Sequence, residues 1–204
     1  MRVTPSVGTL LLWSVASLST ADDTYIVDTA KSAVQVHVGK TGLLSFAGHL
    51  HEVLAPVTGT ITADPGRPDA SSVELRFASA QLRVSPEGEP NGDAPKVEEV
   101  MRGPAVLDVP RFPEIHFKSK AVAGRSASPG AFDLTITGVL GLHGVTREIT
   151  IPVRVTIDGR TLTAAGRATL RHDWFGMKPV SAGGGTVKVA NEIRIDFRIV
   201  AEQR

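Results

Sequence analysis

The stretch Ile149-Thr150-Ile151-Pro152-Val153-Arg154-Val155-Thr156-Ile157 decides the fold. Its Ile and Val side chains fall on alternate residues, with Thr, Pro and Arg between them, so one face is apolar and the other polar. That is the period of a β-strand with one buried face. The same rhythm returns in Ile193, Ile195, Phe197 and Ile199 against Arg194, Asp196 and Arg198. It recurs in Phe132, Leu134 and Ile136, and in Val34, Val36 and Val38. Further strands are read at Tyr25 to Asp28, His51 to Ala63, Ser72 to Phe77, Glu114 to Ala121 and Leu162 to Arg171.

Turn chemistry separates these runs. Asp64-Pro65-Gly66, Ser128-Pro129-Gly130, Leu142-His143-Gly144 and Asp158-Gly159-Arg160 supply the Gly, Pro and Asp residues that tight connections need. The departure from strand period is the stretch from Pro95 to Leu107, where Pro95 to Met101 and Gly103 to Leu107 read as one or two short helices or turns. Proline suits the first turn of a helix because its missing amide hydrogen has no partner there anyway. The chain is therefore all-β and antiparallel, with eight or nine strands. One-sided alternation of this kind builds either a two-sheet sandwich or a closed barrel. An apolar inner face and an apolar outer face covered in a homodimer write the same pattern.

Before the first strand, Val7 to Leu18 (VGTLLLWSVASL) is an apolar run behind Arg2, and Ser19-Thr20-Ala21 places small residues after it. The run is too short to span a bilayer as a helix of about 20 residues and reads as a secretory signal cleaved after Ala21, with residues 22–204 as a single domain. A periplasmic or secreted location follows. No later segment is long and apolar enough for a membrane helix.

Composition narrows the function. With 22 Lys plus Arg against 21 Asp plus Glu, no field gathers phosphates, so nucleic acid is not an expected partner. The absence of cysteine excludes disulfides, thiol nucleophiles and a lipidated N-terminal cysteine. Aromatic residues make up 5% of the chain, too few for the girdles of an outer-membrane barrel.

Taken in order, several segments resemble the YceI-like family of secreted lipocalin-like proteins. They are Tyr25-Ile26-Val27-Asp28 with Lys31-Ser32-Ala33-Val34, Gly48-His49-Leu50-His51-Glu52, Thr58-Gly59-Thr60-Ile61, and Leu107-Asp108-Val109-Pro110-Arg111-Phe112-Pro113-Glu114-Ile115-His116-Phe117. Gly138-Val139-Leu140-Gly141-Leu142-His143-Gly144-Val145-Thr146-Arg147, Arg171-His172-Asp173-Trp174-Phe175-Gly176-Met177 and Val187-Lys188-Val189 with Asn191-Glu192-Ile193 follow. The resemblance implies an eight-stranded lipocalin-like barrel with helical structure near one end, holding a polyisoprenoid or other amphiphilic chain. With no catalytic constellation in the sequence, the reading is a binding protein rather than an enzyme, with no cofactor; the alternatives are a metal-binding envelope protein using a His-x-His site and a stress-response envelope protein acting through partners. Two positions depart from the family's pattern: Lys31 stands where a His commonly precedes Ser32, and Val100-Met101 replaces a usual His-Leu element.

Candidate ligand-binding residues are Phe46, His49, His51, His172, Trp174, Phe175 and Met177: large apolar groups beside glycine-rich connections, and imidazoles beside them. Simple core packing is the competing reading for the apolar ones. His49 and His51 share a strand face and could together hold a metal ion, completed from His37, His116, His143, His172, Glu52 or Asp173. Imidazoles at a polar strand end more often bond backbone or a ligand headgroup. Arg171-His172-Asp173 contains two triad residue types but no G-x-S-x-G elbow, and neighbours in a strand face opposite ways. No catalytic residue is assigned. Gly183-Gly184-Gly185 reads as a flexible turn, because a phosphate cradle opens a helix.

Overall fold

The computed structural model describes residues 23–41, 50–87, 89, 92–182 and 187–204. Its strands are β1 (Asp23–Val27), β2 (Ala33–Thr41), β3 (His51–Leu54), β4 (Thr58–Ala63), β5 (Ser72–Ala78), β6 (Arg83–Val84), β7 (Glu114–Ser128), β8 (Ala131–Leu142), β9 (Val145–Asp158), β10 (Thr161–Arg171), β11 (Ser181–Ala182) and β12 (Val187–Gln203). Among the described residues one α-helix, α1 (Ala94–Arg102), interrupts them.

All pairings are antiparallel, and the order β1-β4-β5-β7-β8-β9-β10-β12 closes on itself because β1 also pairs with β12. The result is an eight-strand barrel, which decides between the two all-β architectures that alternation left open. Twelve segments fill eight wall positions because some walls are interrupted. β1 and β2 both pair with β12, at Tyr25↔Gln203 and at Arg198↔Ala33. The corner between them is pinned by the Ser32 hydroxyl, which donates to the Asp28 carbonyl at 2.7 Å and accepts from the Val200 amide at 3.0 Å. Likewise the run from His51 to Ala63 breaks into β3 and β4, which continue the wall against β2 and β1.

The apolar residues of every alternating run face inward. Phe132, Ile136, Val153, Val155, Ile193 and Ile199 are buried. The outer face carries ion pairs such as Arg154–Asp133 (2.7 Å), Arg167–Asp196 (2.6 Å) and Lys120–Glu148 (2.6 Å). A lipid-facing barrel wall disfavours such groups. Among the described residues no helix is long and apolar enough to cross a membrane.

The two ends differ. At one, the tight β7–β8 and β9–β10 hairpins close over a packed plug of Tyr25, Phe132, Val155, Leu162 and Ala201, all buried. At the other, β6 has β3 as its neighbour, and α1 packs against β6. The helix is fastened to this rim: the Glu98 carboxylate accepts from the Val84 amide at 3.1 Å, and Arg102 donates to the Ala80 and Leu82 carbonyls. The segment Gly103 to Leu107 forms turns, so of the two stretches read as helices or turns only the first is helical.

A second irregularity lies between β9 and β10. Their ladder runs from Thr161↔Asp158 to Gly166↔Val153 and stops at Pro152, which has no N–H to donate, while pairing of β9 with β8 continues past it. Beyond this point a 3-10 turn, His172–Phe175, packs against β9, β10 and β12.

Candidate functional site

Above the plug the barrel is hollow. An apolar cavity of about 280 Å³ runs toward the helix end, walled by Val34, Val36 and Val38 of β2, Leu75 and Phe77 of β5, Ile149, Ile151 and Val153 of β9, and Ile193, Ile195, Phe197 and Ile199 of β12. Val97, Val100 and Met101 of α1 roof it. Along β12 the wall extends from Val189 to Ile199. Eleven residues of tilted strand correspond to a chamber on the order of 25 Å deep.

Small residues keep it open. β10 presents Ala164, Gly166 and Ala168 to the interior in alternation, and the Phe197 ring occupies the space over Gly166. Had β10 carried the large residues of β12, the two walls would meet and the interior would be packed solid, as small barrels allow.

The polar groups on the wall are His51, His172 and Lys178. All three lie at the helix end. His51 opens β3 opposite Val38, and Val38 faces Ile193, which in turn faces Leu170, two residues before His172. Lys178 follows shortly and is exposed, its amide donating to the Ala105 carbonyl at 2.9 Å. His51 Nδ1 makes a close contact with the Glu89 carboxylate, whose side chain is 2% exposed. His172 is buried, with Nδ1 3.2 Å from the Asn191 carbonyl. Burial pushes its pKa down, against the pull of the Asn191 and Ala190 carbonyls and the Asp173 charge.

Of the seven residues singled out from sequence, His51, His172 and Met177 stand on the cavity wall. Trp174 and Phe175 stand elsewhere, in the turn that follows β10. Phe175 is fully buried and its carbonyl is 3.0 Å from His143 Nδ1, while Arg147 covers the Trp174 ring at 5.1 Å and donates to its carbonyl at 3.1 Å. Both therefore wedge the split that Pro152 leaves between β9 and β10. Phe46 and His49 lie outside the described residues, as does the Gly183-Gly184-Gly185 turn.

Three of the other polar groups weighed as ligands have partners of their own. His37 faces Asp196 at 3.4 Å, Glu52 accepts from Gln35 at 3.0 Å, and Asp173 is held by Arg171 at 2.8 Å. Among the described residues no three metal-ligating side chains converge. The wall residues that sequence reading missed, Lys178 and the roof of α1, carry no signal of their own: a lone lysine after Met177 and a short amphipathic helix read as ordinary surface.

An eight-strand antiparallel barrel with an apolar interior chamber and polar groups gathered at one rim defines a ligand-holding barrel of the lipocalin-like kind. The chain belongs to the YceI-like domain family, whose model matches residues 25–201. It is 27% identical over 206 residues to a UPF0312 protein of Pseudomonas savastanoi pv. phaseolicola, an alignment covering 97% of this chain and 95% of the relative. Its fold is similar to that of Burkholderia cenocepacia BcnA, with TM-score 0.63 and 22% identity over 85% of this chain and 98% of that one. It is also similar to a polyisoprenoid binding domain from Saccharophagus degradans implicated in plant cell wall breakdown. There the TM-score is 0.62 and the identity 11%, over 88% of this chain and 98% of that one.

Proposed function

We propose that the protein is exported and holds an isoprenoid or other amphiphilic small molecule inside its barrel, carrying or sequestering it without chemical conversion. The observation that carries this reading is the confinement of the cavity's polar groups, His51, His172 and Lys178, to one end of an otherwise apolar chamber. Such a wall suits a molecule with a long apolar tail and a small polar head. Each buried methylene contributes about 0.8 kcal/mol, so a branched chain of modest length is retained with few polar contacts. His51, His172 and Met177 are the ligand-contacting residues in this reading, together with the α1 roof. The likeness in fold to the polyisoprenoid binding domain of Saccharophagus degradans supports an isoprenoid tail.

Export rests on the apolar run Val7 to Leu18 and the small residues up to Ala21. The test is native mass spectrometry of protein purified from its producing cells without detergent, with N-terminal sequencing of the same sample. A bound lipid-like mass and a chain beginning at Asp22 are expected. A barrel that carries no lipid, and takes none up from isoprenoid vesicles, overturns the carrier reading.

A further inference from the structure

An isoprenoid tail can carry several kinds of polar head, and one residue of the cavity discriminates among them. A carbonyl oxygen can only accept, so the 3.2 Å contact between His172 Nδ1 and the Asn191 carbonyl places the ring proton on Nδ1. In a neutral imidazole the other nitrogen, Nε2, is then an acceptor with a lone pair. The Ala190 carbonyl, adjacent to Asn191 in the chain, also bears on the ring, and no described residue makes a hydrogen bond to Nε2. It is not sealed in protein either, since the sealed, unpartnered side-chain polar atom among those residues is Arg102 Nε. His172 is buried and lines the cavity, so Nε2 opens into the chamber.

A lone acceptor in an apolar chamber is a demand on the ligand: a donor that meets it recovers a hydrogen bond, and a ligand without one leaves it unsatisfied. The surrounding charge selects further. Asp173 follows His172 directly, and the nearly inaccessible Glu89 carboxylate backs His51 at the same end. Asp173 is exposed and paired with Arg171, so of the two it is the enclosed Glu89 carboxylate that opposes an anion entering the chamber. The cation of the wall, Lys178, is exposed at the rim, where water screens it.

We infer that His172 Nε2 is the acceptor for an un-ionised hydroxyl on the ligand, so that the barrel prefers hydroxyl-headed amphiphiles over capped and anionic ones of the same tail. This rests on the carrier reading and adds to it the head chemistry and the residue that reads it.

Three probes with one tail test it: farnesol, farnesyl methyl ether and farnesyl phosphate, titrated by calorimetry into full-length protein stripped of lipid. The alcohol is expected to bind about three- to tenfold more tightly than the ether, the worth of one hydrogen bond, and more tightly than the phosphate. His172→Phe, which keeps an apolar ring, should erase the preference for alcohol over ether. His172→Gln, whose side-chain oxygen accepts, should retain part of it. If the variants do not fold, the wild-type ranking alone decides. Equal affinity for alcohol and ether, or a preference untouched in folded His172→Phe, overturns the role of His172 while leaving the carrier reading intact. Tighter binding of the phosphate, lost in Lys178→Ala, places the head at the rim and overturns it too. Failure of all three probes to bind overturns both.

Discussion

The phenyl ring of Phe197 lies across Gly166, its partner on the neighbouring strand: a Cβ on residue 166 would stand 2.7 Å from Phe197 Cζ and 2.5 Å from the Pro152 carbonyl oxygen. The ring is a cavity wall, and the missing side chain is what lets it lie flat. Gly166→Ala should therefore cost about 1–3 kcal/mol, the range for overpacking a fitted interior, read as a lower urea midpoint. Phe197→Leu in the same chain should relieve part of the cost. The part set by the Pro152 carbonyl should remain.

Filling the chamber should separate ligand holding from folding. Ala164→Leu and Ala168→Leu add apolar bulk to the wall facing empty space, so melting temperature should change little. The lipid extracted per mole of protein should fall sharply. A variant that keeps both its fold and its full lipid load would place the ligand elsewhere.

Acid should act in two windows. Burial holds the His172 pKa below its ordinary 6.5, so the unfolded chain takes up a proton that the native barrel resists. Its contribution to stability is present above pH 6.5 and is lost as pH falls through that value. Asp173 is lowered from 3.8 to about 2, chiefly by hydrogen bonds from Arg171 and Asn191. Its contribution is intact above the unfolded value and disappears between there and about pH 2. Denaturation against pH should show the upper step flattened in His172→Gln and the lower step reduced in Asp173→Asn.

The helix should loosen without the barrel. Arg102 ties α1 to the Ala80 and Leu82 carbonyls, at 3.1 and 3.3 Å, and pairs with Glu98 at 2.7 Å. Arg102→Ala should cost about 1 kcal/mol locally, and amide exchange should quicken in residues 94–107 while β8 and β9 stay protected. Uniform acceleration throughout the barrel would contradict this division.

Much of this molecule was legible from period alone. Ile149 to Ile157 and Ile193 to Ile199 declared their strands, and Leu142-His143-Gly144 its turn, where His143 and Gly144 both take positive φ, 51° and 73°. What alternation could not supply was direction. An inward and an outward apolar face are the same string of letters, and only closure of β1 on β12 shows that these face a chamber. Nor could it reveal that the chamber is empty, since that depends on which small residue of β10 lies opposite which large one of β12. Trp174 and Phe175 illustrate the limit for the site. Their size and position beside a glycine suggested ligand contact, but a missing hydrogen bond at Pro152, on another strand, created the gap they fill.

Closure through β1 and β12 also has a kinetic meaning. Tyr25 meets Gln203 across the seam, so the ring joins segments from opposite ends of the described chain. A polypeptide emerging from the ribosome with its N-terminus first cannot complete that seam until β12 is available, whatever local hairpins have formed. Pairings of such long sequence separation are slow to form because loop entropy is lost before contacts compensate. Closure of the barrel thus waits for β12, a delay that, under the export proposed above, leaves the chain open for threading through a membrane.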